Sequence, residues 1–100
     1  MRWFVKLEKF SEETKRLPKQ LRQQYIQLHC EWVQQLKKSG INVQSGYLVD
    51  KEGKPGGGGV LIVEAISYES AKSIIDKDPL IIEGLVQWEL QEWIPITEEK

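Results

Sequence analysis

The residue of this chain best suited to chemistry is its single histidine, His29. Imidazole is the side chain whose ordinary pKa lies nearest neutrality, so a half-buried histidine can take up or release a proton at working pH. A histidine on the apolar face of a helix is, on the other hand, more often a hydrogen-bonded core residue than a catalyst. The residues alone leave both interpretations open.

His29 lies in the longest segment with helical periodicity, residues 18–39. At about 100° per residue, it falls roughly 40° from Tyr25 and therefore within the apolar stripe. Pro18 suits the first helical position, and Gly40 is typical of the residue that ends a helix. The pattern predicts an amphipathic helix whose core positions are Leu21, Tyr25, Leu28, Trp32 and Leu36.

Cys30 follows His29 in sequence but points about 100° away around the helix. We interpret it as a small side chain at the edge of the core and not as a nucleophile. One histidine and one cysteine without a spaced cluster fall short of a metal site, so we predict no metal. A single cysteine also excludes an internal disulfide and is typical of a reducing compartment, which predicts a cytoplasmic location.

Length and composition predict one small globular domain over residues 1–97, with residues 98–100 as a flexible tail. The formal net charge of −1 and the lack of a basic patch argue against a nucleic-acid partner. The apolar runs are too short to cross a bilayer, and the N-terminus does not resemble a signal peptide. We therefore expect neither nucleic acid nor membrane as a partner.

The first half of the chain predicts two strands beside the long helix. In residues 3–8 the side chains of Trp3, Val5 and Leu7 alternate with those of Phe4, Lys6 and Glu8, and we expect the first three to face the helices. Residues 10–17 are predicted to form a solvated loop, with a helical turn after Ser11 as the alternative. Residues 41–49 predict a second strand, in which Gly46 marks a bulge or a close backbone approach.

The second half predicts two more strands and a second helix. The glycines of residues 50–59 precede a strand and lack a following Gly-Lys-Ser/Thr, so we predict a flexible hairpin loop and not a phosphate loop. A strand follows at residues 60–65. Ser67 is expected to cap the second helix, which has core positions Ala71, Ile74 and Ile75. Asp78 is expected to cap a short turn at residues 79–84, before the last strand at 85–94.

The order β-α-β-β-α-β predicts a ferredoxin-like α+β fold, a four-stranded antiparallel sheet with both helices on one face. We expect the helix side to carry Trp3, Val5, Leu7, Leu61, Val63, Val86, Trp88 and Leu90. The other side would mix Phe4, Val60, Ile62 and Trp93 with Lys6, Glu64, Gln87 and Glu89. A face of this mixed character predicts a homodimer in which two sheets pack together.

Several segments together resemble the YCII-related domain family. They are Arg22, His29, Trp32, Leu36 and Gly40 of the long helix; Gly46 with the glycine-rich hairpin after it; Glu64-Ala65; SYESA from Ser67; and DKDPLIIEGLVQWELQEW from Asp76. The similarity covers the chain from Phe4 to Trp93. Its most specific part is the stretch from Asp78 to Leu85.

This resemblance implies a dimeric α+β barrel with an active site built on His29 and Asp78. The assigned members, and related barrel families such as the muconolactone isomerases, act on small ring compounds by elimination, isomerisation or oxygenation. Family members usually have proline after the glycine of the second strand, whereas here Tyr47 follows Gly46. The rim of the pocket, and with it the substrate, therefore departs from the family pattern.

A carboxylate at Asp78 would fix the tautomer of His29 and stabilise its imidazolium form. Asp78 has a structural role as an N-cap in any case, and the two roles can coexist. We expect Arg22, Tyr25, Trp32, Gly46 and Tyr47 to line a substrate pocket beside this dyad. Arg22 could bind a substrate carboxylate, although a surface salt bridge is the alternative.

The first hypothesis is therefore a homodimeric enzyme, a lyase or isomerase with a His-Asp dyad, acting on a small cyclic or unsaturated acid without a metal or cofactor. The second is a ligand-binding or regulatory dimer that keeps the pocket without turnover. The third is a haem- or oxygen-using monooxygenase of the same barrel type, with His29 as the haem ligand.

Overall fold

The computed structural model describes residues 1–97, and the tail predicted at residues 98–100 lies outside them. The strands are β1 (Arg2–Phe10), β2 (Val43–Val49), β3 (Pro55–Ala65) and β4 (Val86–Trp93). The helices are α1 (Glu12–Lys15), α2 (Lys19–Lys38), α3 (Tyr68–Ile75) and α4 (Pro79–Ile82). None of the helices in residues 1–97 has the length and apolar character needed to cross a membrane.

The four strands form one antiparallel sheet in the order β2-β3-β1-β4. Helices α2 and α3 pack on the same face and bury a single core with it. That core joins Phe4, Leu61, Val63 and Leu90 of the sheet to Val33 of α2 and to Ala71 and Ile75 of α3. The predicted α+β, ferredoxin-like architecture is confirmed.

The predicted faces of β1 are wrong. Phe4 and Lys6 are fully buried on the helix side, where they are opposite Val63 and Leu61 of β3. Trp3, Val5 and Leu7 consequently point to the open face of the sheet. Counting apolar residues favoured the wrong side because Lys6 is held in the interior by carboxylates, one of which is 72 residues away in sequence. The faces predicted for β3 and β4 are confirmed.

Helix α2 begins after Pro18 and ends before Ser39, as predicted to within a residue. Gly40 follows the cap with φ 91°, the left-handed conformation that glycine adopts at little cost. The buried stripe, however, is rotated toward His29 and Val33, and Leu28 is 48% exposed. Cys30 is also exposed and does not belong to the core.

Residues 10–17 do not form the predicted loop, because Ser11 caps the short helix α1. The Ser11 hydroxyl oxygen accepts a hydrogen bond from the Thr14 backbone N–H at 3.1 Å. The buried Thr14 hydroxyl donates to the Leu85 carbonyl at 2.8 Å and so joins this connection to the start of β4. The alternative of a helical turn after Ser11 is therefore the correct one.

The β2–β3 hairpin is tighter than predicted. Its turn spans residues 50–54, where one carboxylate oxygen of Asp50 accepts the backbone N–H groups of Glu52 and Lys54, and the glycines after it belong to β3. The irregular pairing lies between Tyr47 and Val49, beyond Gly46. A Cβ added at Gly46 would meet nothing within 4 Å, so neither the predicted bulge nor the close approach lies there.

The caps predicted for the last two helices are confirmed. The Ser67 hydroxyl accepts from the Ser70 backbone N–H at 3.0 Å, and Ala71 and Ile75 of α3 are fully buried. Asp78 caps α4, with Pro79 at the first helical position. Asp78 is thus positioned both by its capping of α4 and by the chain that precedes it.

Candidate functional site

Helix α2 directs His29 toward the helix-covered face of the sheet, one turn before the core residue Val33. The His29 side chain is 10% exposed, so its ring is mostly shielded from water. Its Nδ1 atom lies 2.9 Å from Oδ1 of Asp78, whose side chain is fully buried. The two residues that the family resemblance pairs are therefore in direct contact.

Asp78 is both the cap of α4 and the partner of His29. Its Oδ1 atom also accepts the Leu80 backbone N–H at 3.0 Å. Its Oδ2 atom lies 2.5 Å from the Nζ atom of Lys6 on β1. Three separate elements thus fix the position of one carboxylate, and the capping and pairing roles coexist.

Lys6 is a site residue that the sequence analysis missed, since we expected it on the open face. Its fully buried Nζ atom lies 2.5 Å from Oε1 of Glu8 as well as from Asp78. Formal charges in this cluster sum to −1 when His29 is neutral and to zero when His29 is protonated. The pairing with Glu8 and Asp78 together explains a buried lysine at this position, and the local sequence pattern carries no sign of the long-range partner, Asp78.

The ionisation of Asp78 follows from two opposing effects. Burial of the carboxyl acts to raise its pKa, but the hydrogen bond from His29 and the charge and hydrogen bond of Lys6 together outweigh it. The pKa of Asp78 consequently lies below its ordinary value. An ionised carboxylate can only accept hydrogen bonds, so the hydrogen of neutral His29 resides on Nδ1.

Ser45 is the second residue that the sequence analysis missed. Its Oγ atom lies 2.8 Å from Nε2 of His29. With the His29 hydrogen on Nδ1, the Ser45 hydroxyl donates to the unprotonated Nε2. The only sequence signal was its position beside Gly46, in a strand expected at the pocket.

A cavity of about 990 Å³ opens beside His29 and Ser45. Arg22, Gly46 and Tyr47, all three predicted for the pocket, contribute to its lining. The predicted Tyr25 and Trp32 lie outside that lining. The Trp32 ring lies with its centroid 5.7 Å from the centroid of the His29 ring and packs beside it.

The wall of the cavity formed by β3 is a run of glycines, residues 56–59. A Cβ added at Gly59 would lie 3.2 Å from the Gly46 carbonyl oxygen and 3.3 Å from Cγ of Glu8. At Gly57, with φ 88°, it would lie 3.2 Å from the end of the Lys15 side chain. Side chains at these positions would enter space that the cavity now occupies.

The charges that line the cavity are mainly positive. They comprise Lys15, Lys19, Arg22 and Lys37, against one carboxylate, Glu8, which is already paired with Lys6. The Nε atom of Arg22 donates to the Leu17 carbonyl at 3.2 Å, and Arg22 forms no ion pair with the acidic side chains of residues 1–97. The surface salt bridge considered for Arg22 is therefore absent from this part of the chain.

The side chains of the site, all within residues 1–97, do not form the donor set of a metal centre. In the part of the chain that the structure describes, no three His, Cys, Asp or Glu side chains come together in a group that could bind a metal ion. The polar side chains of the site instead satisfy one another. No buried side-chain nitrogen or oxygen within residues 1–97 is without a hydrogen-bond partner.

Solved structures place the fold in the ferredoxin-like α+β class. The 5-chloro-2-hydroxyhydroquinone dehydrochlorinase from Burkholderia phenoliruptrix AC1100, determined in complex with 2,5-dihydroxybenzoquinone, aligns with a TM-score of 0.68 over 92% of this chain and 93% of that chain at 23% identity. The de novo designed protein Ferredog-Diesel aligns with a TM-score of 0.55 over 91% and 84% of the two chains at 10% identity.

The sequence profile of the YCII-related domain matches residues 2–94. The chain belongs to the YCII-related domain family, as its sequence motifs predict. No curated protein sequence matches the chain significantly.

Proposed function

We propose that this chain is a small-molecule enzyme in which His29 acts as general acid and base, oriented by Asp78, on a small cyclic or unsaturated acid. No metal takes part in this proposal. The observation that carries it is the placement of one imidazole between a buried carboxylate and a cavity of about 990 Å³. A general base needs such a position, within reach of both a substrate and a group that orients it.

The chemistry that fits this geometry is proton abstraction followed by loss of a leaving group or by reprotonation elsewhere. Nε2 of His29 takes the substrate proton while Nδ1–H donates to Asp78. The imidazolium that forms is stabilised because it brings the cluster with Lys6, Glu8 and Asp78 to zero net charge. The Ser45 hydroxyl, which occupies Nε2 in this structure, rotates away or relays the proton.

Two observations support the substrate class. The cations that line the cavity, Arg22 among them, favour an anionic group such as a carboxylate or phenolate. The structurally similar dehydrochlorinase is named for the loss of hydrogen chloride from a hydroxylated ring, and a quinone is bound to it. Elimination on a small ring compound is the reaction class that agrees with both observations.

We further propose that the enzyme is a cytoplasmic homodimer joined through the open face of the sheet. The corrected orientation of β1 adds Trp3, Val5 and Leu7 to Val60 and Ile62 on that face. Such a surface is apolar over the two central strands, and a second copy of the same sheet would cover it. The exposed thiol of Cys30 is compatible with a reducing compartment.

The haem-dependent alternative receives no support from the site. Iron ligation through Nε2 of His29 would require the Ser45 hydroxyl to move, as substrate deprotonation does, and the Nδ1–Asp78 contact is compatible with either role. The alternative of binding without turnover differs from the proposal in one measurable quantity, the rate of product formation.

The test is turnover of chlorinated hydroxyhydroquinones and of hydroxylated aromatic acids, followed anaerobically by chloride release and by ring absorbance. We expect His29→Gln and Asp78→Asn to lower kcat/KM by about 10²–10⁴, the usual contribution of general acid–base catalysis. The matched control is Asp76→Asn, which removes an exposed carboxylate two residues away that pairs with Lys72. It should stay within about twofold of the wild type.

Turnover that survives His29→Gln would contradict the proposal. Saturable binding of these compounds by the wild type, measured by calorimetry and without any product, would instead support the ligand-binding dimer.

A further inference from the structure

We propose that Ser45 is a nucleophile and that Ser45, His29 and Asp78 form a triad able to hydrolyse small esters. Acyl transfer is a different reaction from elimination, although the inference shares its base, His29, with the proposed function and in that respect rests on it. The juxtaposition that carries it is an unbroken line of hydrogen bonds from an exposed hydroxyl to a buried carboxylate.

The geometry meets the requirement for an activated nucleophile. The Ser45 Oγ–His29 Nε2 distance is 2.8 Å and the His29 Nδ1–Asp78 Oδ1 distance is 2.9 Å. Both lie within the range of about 2.6–3.2 Å at which a base can take the proton of a nucleophile while a third group orients the base. Because Asp78 places the hydrogen on Nδ1, Nε2 is the free base that a serine needs.

Ser45 is also accessible to a substrate. It is an exposed residue of the edge strand β2 and lines the cavity together with His29. It is paired with the buried Leu61 of β3, which places its side chain on the helix side of the sheet. The cavity of about 990 Å³ that Ser45 and His29 both line provides room for an acyl group beside Oγ.

The reaction is balanced with water as the only co-reactant. Oγ of Ser45 bonds to the ester carbonyl carbon while its proton passes to Nε2 of His29. The tetrahedral intermediate collapses, the carbon–oxygen bond to the leaving group breaks, and the alcohol departs with the proton from Nε2. A water molecule, deprotonated by Nε2, then cleaves the acyl-serine and releases the acid and the free hydroxyl. The cations that line the cavity, Lys19, Arg22 and Lys37, favour the entry of an anionic ester.

The first experiment treats the intact protein with a small alkyl fluorophosphonate and follows its mass. Bond formation between phosphorus and Oγ releases fluoride, so a single adduct that maps to Ser45 is expected. The labelling rate should fall at least 100-fold in His29→Gln, and the adduct should be absent in Ser45→Ala. Ser73→Ala, which removes an exposed hydroxyl on α3, is the matched control and should label as the wild type does.

A second readout does not depend on whether the phosphonate fits the cavity. Ser45→Cys in a Cys30→Ser background places one thiol beside His29, and its alkylation by iodoacetamide is measured between pH 5 and 9. We expect its rate at pH 6 to exceed, at least tenfold, that of the same protein carrying His29→Gln, because the imidazole promotes thiolate formation. Circular dichroism of each variant verifies that it is folded.

The proposal stands if either readout is positive and requires His29, and it is overturned if neither is. Its failure is distinguishable from failure of the proposed function. If elimination is lost in His29→Gln while both Ser45 readouts are negative, only the proposal that Ser45 is a nucleophile is overturned. Elimination that survives His29→Gln overturns the proposed function.

Discussion

Asp78 connects three elements at the scale of single residues, because it accepts hydrogen bonds from Lys6 of β1, His29 of α2 and the Leu80 backbone of α4. Its capping role was predictable from the sequence, since an aspartate before a proline is a local signal. The partnership with His29 came from the family resemblance. Lys6 and Ser45 were not predictable, because their roles depend on contacts with residues 72 and 16 positions away.

The buried lysine leads to a prediction about acid stability. The pKa of Asp78 is lower in the folded chain than its ordinary value of 3.8. The unfolded chain therefore binds this proton first as pH falls. The stabilisation is complete well above pH 3.8 and is lost as pH falls through the lowered folded pKa. Removing Lys6 removes part of what lowers the pKa of Asp78, so less stability should be lost on acidification and the loss should end at a higher pH.

We expect Lys6→Met to lower the free energy of unfolding at pH 7 by about 3–5 kcal/mol, since it leaves two carboxylates without their buried partner. The measurement is urea unfolding between pH 3 and 7. Lys9→Met, an exposed position of the same strand, is the control and should change stability by no more than about 0.5 kcal/mol. Equal effects of the two substitutions would show that the buried pair contributes nothing.

At the scale of elements, the helices and their caps follow from local chemistry, whereas strand orientation does not. Ser67, Asp78 and Gly40 each end or begin a helix where the sequence predicts it. In β1 the apolar count favours the face of Trp3, Val5 and Leu7, whereas the other face is the buried one because Lys6 pairs with Asp78, the cap of α4. The glycine run predicts a loop because glycine is rare in strands, but it belongs to β3, where its lack of side chains leaves room for the cavity.

The glycine run predicts a size limit on one wall of the cavity. Gly59→Ala places a methyl group 3.2 Å from the Gly46 carbonyl oxygen and 3.3 Å from Glu8. Since the carbonyl belongs to the paired backbone and cannot easily move, we expect a loss of about 1–3 kcal/mol in urea unfolding and a raised KM. Gly56→Ala, where the methyl group meets nothing within 4 Å, is the control and should be neutral or slightly stabilising. If Gly59→Ala changes neither the free energy of unfolding nor KM, the β3 wall of the cavity can adjust to the added methyl group.

At the scale of the whole molecule, the sheet has one face covered by helices and one face open. The sequence predicts this division and the presence of apolar residues on the open face. It assigns the wrong set of alternating β1 residues to that face. The structure places Leu7, 39% exposed, and Trp93, 51% exposed, on that face. A single-layer sheet with this composition is expected to bury the face against a second copy.

Light scattering at micromolar concentration distinguishes the homodimer proposed on these grounds from a monomer. The wild type should show about twice the chain mass of 11.6 kDa. Leu7→Glu should shift it to the monomer mass, because an interface between two apolar sheets would have to bury two unpaired carboxylates. Leu28→Glu, at a 48% exposed position on α2, introduces the same charge on the helix layer and should leave the dimer intact. A wild type of monomer mass contradicts the dimer. Dissociation by both variants alike would mean that the open face is not the contact.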